Sequence, residues 1–157
     1  MRFAALLEEF CAAVKAGDGQ RFARLFTEDA VYHDVFYGPH AGRDAIAEML
    51  EARFHRDARN FEWQMIAPVD DGRVGYARWL FSFDGATAHT EGKRILMEGV
   101  GLFELRDGLI ARYEDFVKNG EVLLRMGFPP DKLYRVLERN VAQQDARPEV
   151  RAHLDRQ

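Results

Sequence analysis

Residues 99–117 read Gly-Val-Gly-Leu-Phe-Glu-Leu-Arg-Asp-Gly-Leu-Ile-Ala-Arg-Tyr-Glu-Asp-Phe-Val. Arg106-Asp107-Gly108 suits a three-residue hairpin loop, a type I turn whose glycine takes the left-handed position. The alternating apolar residues on either side then predict two antiparallel strands, at 93–105 and 109–118. Asp70-Asp71-Gly72 carries the same signature between candidate strands at 60–69 and 73–84. The second half of the chain is therefore expected to be an antiparallel meander.

Outside that stretch the period changes. Phe3, Leu6, Leu7, Phe10 and Val14 recur at three-and-four spacing and Gly17 follows as a C-cap, which predicts a helix over 3–16. Phe22, Leu25 and Phe26 suggest a shorter helix, 29–36 has the β-branched and aromatic content of a strand, and Tyr37-Gly38-Pro39-His40 breaks it. Ile46, Met49, Leu50 and Phe54 mark a helix over 43–55. Beyond Val122, Leu123, Met126 and Pro129-Pro130, residues Leu133, Val136, Leu137 and Val141 make a last helix over 130–144, and 145–157 reads as a charged, frayed tail or interaction arm. Helices followed by a meander indicate an α+β fold, a cone-shaped curved antiparallel sheet with the N-terminal helices on its concave face. One domain over 1–144, with its core in 3–128, accounts for a chain of 157 residues.

Composition narrows the function. With 22 basic and 26 acidic residues dispersed along the chain, there is no basic stripe for nucleic acid or an anionic membrane. The longest apolar runs, Phe3 to Leu7 and Phe10 to Val14, fall far short of the roughly 18 residues of a membrane span. The N-terminus shows no secretory pattern and Cys11 is the single cysteine, so a cytoplasmic location without disulfides is expected. None of the five histidines has a second His or Cys at ligand spacing, so neither a metal nor another cofactor is called for. A small molecule or a protein remains as partner.

Polar groups on apolar faces supply the candidate site. In the last strand Asp115 alternates with Leu109, Ala111, Tyr113 and Val117, and counting across the hairpin brings Ile95, Met97, Gly99, Gly101 and Phe103 to the same face. Two glycines beside a carboxylate leave space, and a carboxylate among apolar side chains must be paired or raised in pKa. Arg78 is the expected partner, on a face with Val74, Tyr76, Leu80 and Ser82; a structural ion pair and a catalytic pair are equally open. Tyr32 and Asp34 share one parity of the first strand, whose direction the alternation leaves undecided, and Asp34 by itself also suits a turn or cap. The opposite face of the 60–84 hairpin carries Phe61, Trp63, Met65, Trp79, Phe81 and Phe83. So aromatic a surface predicts a homodimer through Trp79, Phe81 and Phe83, although a one-residue slip would exchange the faces of 60–69.

With the order helix, helix, strand, helix, meander established, the chain resembles the nuclear transport factor 2-like (cystatin-like) superfamily over about 3–128. Ala16-Gly17-Asp18, Phe26-Thr27-Glu28-Asp29-Ala30, Gly42-Arg43-Asp44-Ala45-Ile46 and residues 101–110 carry the likeness. Three enzyme groups of that superfamily compare residue by residue. Limonene-epoxide hydrolases, with an Asp-Arg-Asp set plus Tyr and Asn, match at Asp115, Arg78 and Tyr32, while Asp34 stands for their Asn and Leu80 for their second Asp. Ketosteroid isomerases match at Asp34, their general base, but have Phe10 and Gly101 in place of the oxyanion-hole Tyr and Asp. SnoaL-like polyketide cyclases match best: their last-strand acid/base Asp falls on Asp115 and their following helix on Gly120 to Gly127.

The resemblance and the pattern together imply a small-molecule pocket without a metal. Asp115 is the acid/base candidate, Arg78 sets its ionisation, Asp34 is a second carboxylate and Tyr32 a hydrogen-bond donor. Phe10, Met49, Gln64, Leu80, Met97, Tyr113 and Leu123 are expected to contact an apolar, polyketide- or terpenoid-like ligand. Two carboxylates in different surroundings suit cyclisation, isomerisation or hydration. The alternatives are a ligand-binding module without catalysis and a dimeric interaction protein whose cone is filled.

Overall fold

The computed structural model describes residues 2–156. In chain order it holds α1 (Phe3–Ala16), α2 (Gly19–Ala23), β1 (Phe26–Asp34), β2 (Gly38–Ala41) and α3 (Arg43–Glu48). A π-helical segment Met49–Phe54 and α4 (His55–Asp57) then lead into β3 (Ala58–Asp70), β4 (Val74–Gly85), β5 (Arg94–Arg106) and β6 (Leu109–Val117). The chain ends in α5 (Asn119–Arg125), α6 (Pro130–Ala146) and α7 (Pro148–Leu154). The expected elements recur with four differences: the second helix ends at Ala23 and Phe26 already opens β1, the helix from Arg43 turns π-helical after Glu48, the breaker at Gly38–Ala41 forms a short edge strand, and Pro148 opens α7 in the tail read as frayed or as an interaction arm.

The apolar stripe of α1 is buried along its length, and Gly17 ends the helix at φ 69°, the left-handed conformation that glycine adopts without strain. Glycine is also needed there for space. A Cβ would lie 2.8 Å from the His55 ring, whose Nε2 donates at 3.0 Å to the Val14 carbonyl at the end of α1, which also accepts from the Gly17 N–H at 3.1 Å. Asp18 then caps α2 by accepting from the Arg21 N–H at 2.8 Å.

The six strands run in the order β2-β1-β6-β5-β4-β3. All pairs are antiparallel except β1 with β6, which run parallel through Tyr32 opposite Tyr113. No hairpin joins those two strands, so no turn fixes their relative direction, and the expectation of a wholly antiparallel sheet is corrected at this ladder. The β3–β4 register shifts twice, between Arg59 and Glu62 and between Ile66 and Val69, next to Asn60 at φ 53° and Ala67 at φ 49°. Each bulge bends β3 and shifts the register by one residue: Val69 pairs with Tyr76 near the turn, but between the bulges Trp63 pairs with Phe81, and there Phe61, Trp63, Trp79, Phe81 and Phe83 share one face as expected.

That face is the concave one, not an outer surface. Ala77 pairs with Gly101 and Trp79 with Gly99 across β4–β5, while Gly101 pairs with Asp115 across β5–β6, so the aromatic set and Asp115 point the same way. Trp79, Phe81 and Phe83 are only 1%, 6% and 8% exposed within the single chain and have no area left for a partner subunit. Arg78, Leu80 and Gln64 fall on the convex side instead, Arg78 and Gln64 exposed, between Val100 and Ile66 and beside each other in the ladder. The pairing of Arg78 with Asp115 and the placing of Leu80 and Gln64 in the pocket are thereby corrected. The cause is the β4–β5 connection, residues 86–93, which has no tight-turn signature to set register, so nothing in the sequence tied either face of β4 to Asp115.

The core lies where α1 crosses this concave face. Phe10, with no exposed surface, sits edge-on to Trp63 at 5.1 Å and Phe22 at 4.7 Å and tilts onto Tyr113 at 5.4 Å. Burying one such ring contributes about 1.5–3 kcal/mol. In contrast, α6 and α7 bury none of their residues. No helix among the described residues is long and apolar enough to cross a membrane.

If the aromatic face is interior, Phe81→Arg places an unpaired charge in the core and is expected to destabilise by several kcal/mol. Circular dichroism should then show an unfolded or molten chain at temperatures where the wild type is folded. A well-folded Phe81→Arg protein with wild-type Tm would return these rings to the surface.

Candidate active site

The helices do not cover the whole concave face, and the uncovered part encloses a cavity of about 230 Å³. Phe54, Phe61, Phe81, Phe83 and Met97 form apolar wall, and Tyr32, Asp34, Trp63, Trp79 and Asp115 are among the polar residues of the lining. The β1–β2 turn contributes Val35 to Tyr37, the β4–β5 connection Thr87 and Thr90, and the end of α5 Met126. The π-helical segment has a direct part in this, because its last residue, Phe54, stacks towards Phe61 and Phe81 at 6.3 Å from each. Wide helical turns of this kind recur at functional sites.

Asp115 stands on β6, half-buried, with protein around its carboxyl and its remaining surface open to the cavity. Tyr113, two residues earlier on the same face, donates its hydroxyl to Asp115 Oδ1 in a short hydrogen bond. The glycines opposite make this possible, but not by leaving a void as the sequence suggested. A Cβ on Gly101 would lie 2.9 Å from the Phe103 ring and 3.0 Å from the Tyr113 ring, and one on Gly99 would meet the Trp79 indole at 2.6 Å. The missing side chains are replaced by aromatic rings that bring their polar ends towards Asp115.

Burial first, then the nearby charge of Asp34, pushes the Asp115 carboxyl well above the usual carboxylate range, against the opposing pull of the Tyr113 hydroxyl. The Trp79 N–H also favours the charged form, yet it does not reach hydrogen-bond geometry with any protein acceptor. No cation contributes, which follows from Arg78 being on the other side of the sheet. The hydroxyls of Tyr32 and Tyr113 are likewise pushed well up, chiefly by burial and next by Asp115, so both remain neutral donors.

Asp34 ends β1, and its Oδ1 accepts from the backbone N–H groups of Phe36 and Tyr37, each at 2.8 Å. It is thus both the turn cap that its sequence context suggested and a wall residue of the cavity. Burial raises its pKa as well, but the N–H groups of Tyr37 and Phe36 and the charge of Arg53 oppose the shift. Beside it Tyr37 Oη donates to Asp57 Oδ2 at 2.7 Å, and Arg56 holds the same carboxylate, keeping it charged.

Of the expected contact residues, Met97 lines the cavity and Tyr113 stands behind Asp115, whereas Phe10, Met49 and Leu123 are spent in the core. Tyr32, Asp34 and Asp115 are brought together on one wall; Arg78 is not among them. Trp63, Trp79, Phe81 and Phe54 were not expected in the site. The first three were visible as one aromatic face in the sequence, and their apolar bulk was the signal that this face, richer than the one carrying Arg78, belongs inside. Among the described residues no His, Cys, Asp and Glu side chains group as a metal site would require.

A curved sheet with helices on its concave face and acids at the base of an apolar cavity defines a cone-shaped ligand-pocket fold. A model of the SnoaL-like domain matches residues 7–113, and the chain belongs to that family. No curated protein sequence matches it. Among solved structures it is similar to a protein of ketosteroid isomerase-like fold from Catenulispora acidiphila DSM 44928 in complex with trimethylamine, at 20% identity and TM-score 0.70 over 80% of this chain and 95% of that one. An LEH-like epoxide hydrolase of M. tuberculosis matches at 19% identity and TM-score 0.63, over 85% and 92% of the two chains. The epoxide hydrolase/cyclase-like enzyme SalBIII matches at 19% and 0.61, over 73% and 88%. At such identities the shared feature is the fold.

The raised carboxyl has a thermodynamic consequence. The folded chain holds the Asp115 proton above the ordinary pKa of 3.8 at which the unfolded chain releases it, so this group's contribution to stability is complete below that value and is lost as pH rises through the raised one. Asp34 acts in the same direction. In melts from about pH 4 upward the wild type should therefore lose Tm more steeply than Asp115→Asn, which cannot ionise. Parallel slopes for the two proteins would show that Asp115 titrates normally.

Proposed function

We propose that this protein catalyses an acid–base transformation of a small, largely apolar molecule, of the cyclisation, isomerisation or hydration type. The observation that carries the proposal is a pair of carboxyls on one wall of an apolar cavity, kept unequal by their surroundings. Asp115, without a counter-ion, is the protonated partner and gives its proton to an oxygen that gains negative charge. Asp34, held by two N–H groups and ionised first, takes a proton from substrate carbon or from an attacking water. One proton enters the substrate and one leaves, so the net charge is unchanged and exchange with solvent resets the two acids. The hydroxyls of Tyr113 and Tyr32 stay protonated and orient the groups around them. Membership of the SnoaL-like family, and neighbours described as epoxide hydrolase and cyclase-like, support an enzyme of this kind.

The test is turnover on a panel of small cyclic epoxides and enolisable 1,3-dicarbonyl compounds, followed by mass spectrometry. On any compound that the wild type converts, Asp115→Asn should lose about 100-fold or more in kcat while keeping a folded near-ultraviolet spectrum, and Asp34→Asn should also be impaired. Full turnover in both variants would exclude this chemistry and leave a pocket that only sequesters its ligand.

A further inference from the structure

Three buried polar atoms of cavity-lining residues have no hydrogen-bond partner in the protein: Tyr32 Oη, Trp63 Nε1 and Trp79 Nε1. Buried polar groups are nearly always satisfied, so a cluster of exceptions around one cavity calls for an occupant. None of the three reaches a carboxyl of the cavity in hydrogen-bond geometry, while Asp115 Oδ1 accepts from Tyr113 and Asp34 Oδ1 from two backbone N–H groups. A tyrosine hydroxyl can donate or accept, but an indole N–H can only donate. The two tryptophans therefore fix the sign of what is missing. A cation could rest on the aromatic walls, yet it would leave both indole donors unmet. An oxygen with free lone pairs can accept from such a donor.

We infer that the cavity binds a neutral molecule through a single oxygen acceptor, of carbonyl or ether type, lodged between Tyr32 Oη, Trp79 Nε1 and the Asp115 carboxyl. The apolar remainder of the molecule lies against Phe61, Phe81 and Met97. This inference rests on the acid–base function proposed above and names its substrate class: the anchored oxygen is the one that receives the Asp115 proton. Trp79 becomes a binding residue for that oxygen, placed by the absence of a side chain at Gly99, over which its indole lies. Both donors are held rigidly, Tyr32 by packing on Tyr113 with ring centroids 4.7 Å apart and Trp79 by its edge contact with Trp63 at 5.9 Å.

Ligand-observed NMR titration with three probes tests this. Cyclohexanone supplies the oxygen, methylenecyclohexane is the same ring with carbon in its place, and tetramethylammonium is the cation. The wild type should prefer cyclohexanone over methylenecyclohexane by about tenfold or more, the effect of one buried hydrogen bond. Trp79→Phe, which keeps a ring over Gly99, should lose most of that preference and leave methylenecyclohexane binding unchanged, and Tyr32→Phe should do the same if Trp79→Phe does not fold. Equal binding of the two rings by the wild type, tighter binding of tetramethylammonium, or an undiminished preference in the folded variants would overturn the inference. Asp115→Asn separates the two proposals, because its amide still donates: a retained ketone preference with undiminished turnover sinks only the acid–base function. A wild type without ketone preference whose turnover does depend on Asp115 sinks only the oxygen anchor.

Discussion

The concave face of the sheet carries more aromatic surface than the helices can cover, and most of the molecule follows from that mismatch. Phe10 and its neighbours on α1 cover the region around Phe103 and Tyr113, where Phe10 meets the first ring edge to face and tilts onto the second, all three with no exposed area. Towards β3 and the outer part of β4 the cover is incomplete. There Phe61, Phe81 and Phe83 remain inside the fold and, with Phe54, form apolar wall of the cavity. A surface of this kind needs cover, part of which the π-helical segment, the β1–β2 turn and the 86–93 connection supply. The cavity is what remains when one short helix layer is laid over a sheet bent by two bulges.

Once an apolar enclosure exists, any carboxyl on its wall has altered chemistry. Asp115 and Asp34 are both desolvated, but only Asp34 receives backbone donors, because it lies at the strand end where the chain turns. Asp115 lies inside a ladder whose N–H groups are committed to the neighbouring strands, so its one protein donor is a side chain, Tyr113. Position along the strand thus makes the two acids unequal, with no cation involved. The glycines at 99 and 101 belong to the same arrangement, since they let two aromatic rings approach close enough to present an indole N–H and a phenol beside the carboxyl.

Separate from this site is the C-terminal helical pair. It lies beyond the stretch matched by the SnoaL-like domain and buries no residue against the cone. Its apolar positions Leu133, Val136 and Leu137 are only partly covered. The cavity draws on nothing in it; Met126 is the last residue of the chain to contribute wall.

By itself the sequence determined the elements, their order and the co-facial sets. A period of 3.6 placed α1 and a period of two placed the strands, glycine ended α1, and parity grouped Trp79 with Phe81 and Phe83 and Asp115 with Tyr113, because side-chain alternation within a strand is local, whereas joining Trp63 to the first set required the β3–β4 register. What only the tertiary structure decided was which set faces inward. That choice depends on the β4–β5 register, made across a connection with no turn signature, and on where α1 docks; neither is encoded by spacing within a strand. The attraction expected between Arg78 and Asp115 pointed the wrong way, since an arginine is readily solvated on the convex face while three large aromatic rings are not. Burial area outweighed the ion pair, and the cavity, the raised pKa of Asp115 and the unmatched donors around it follow from that one decision.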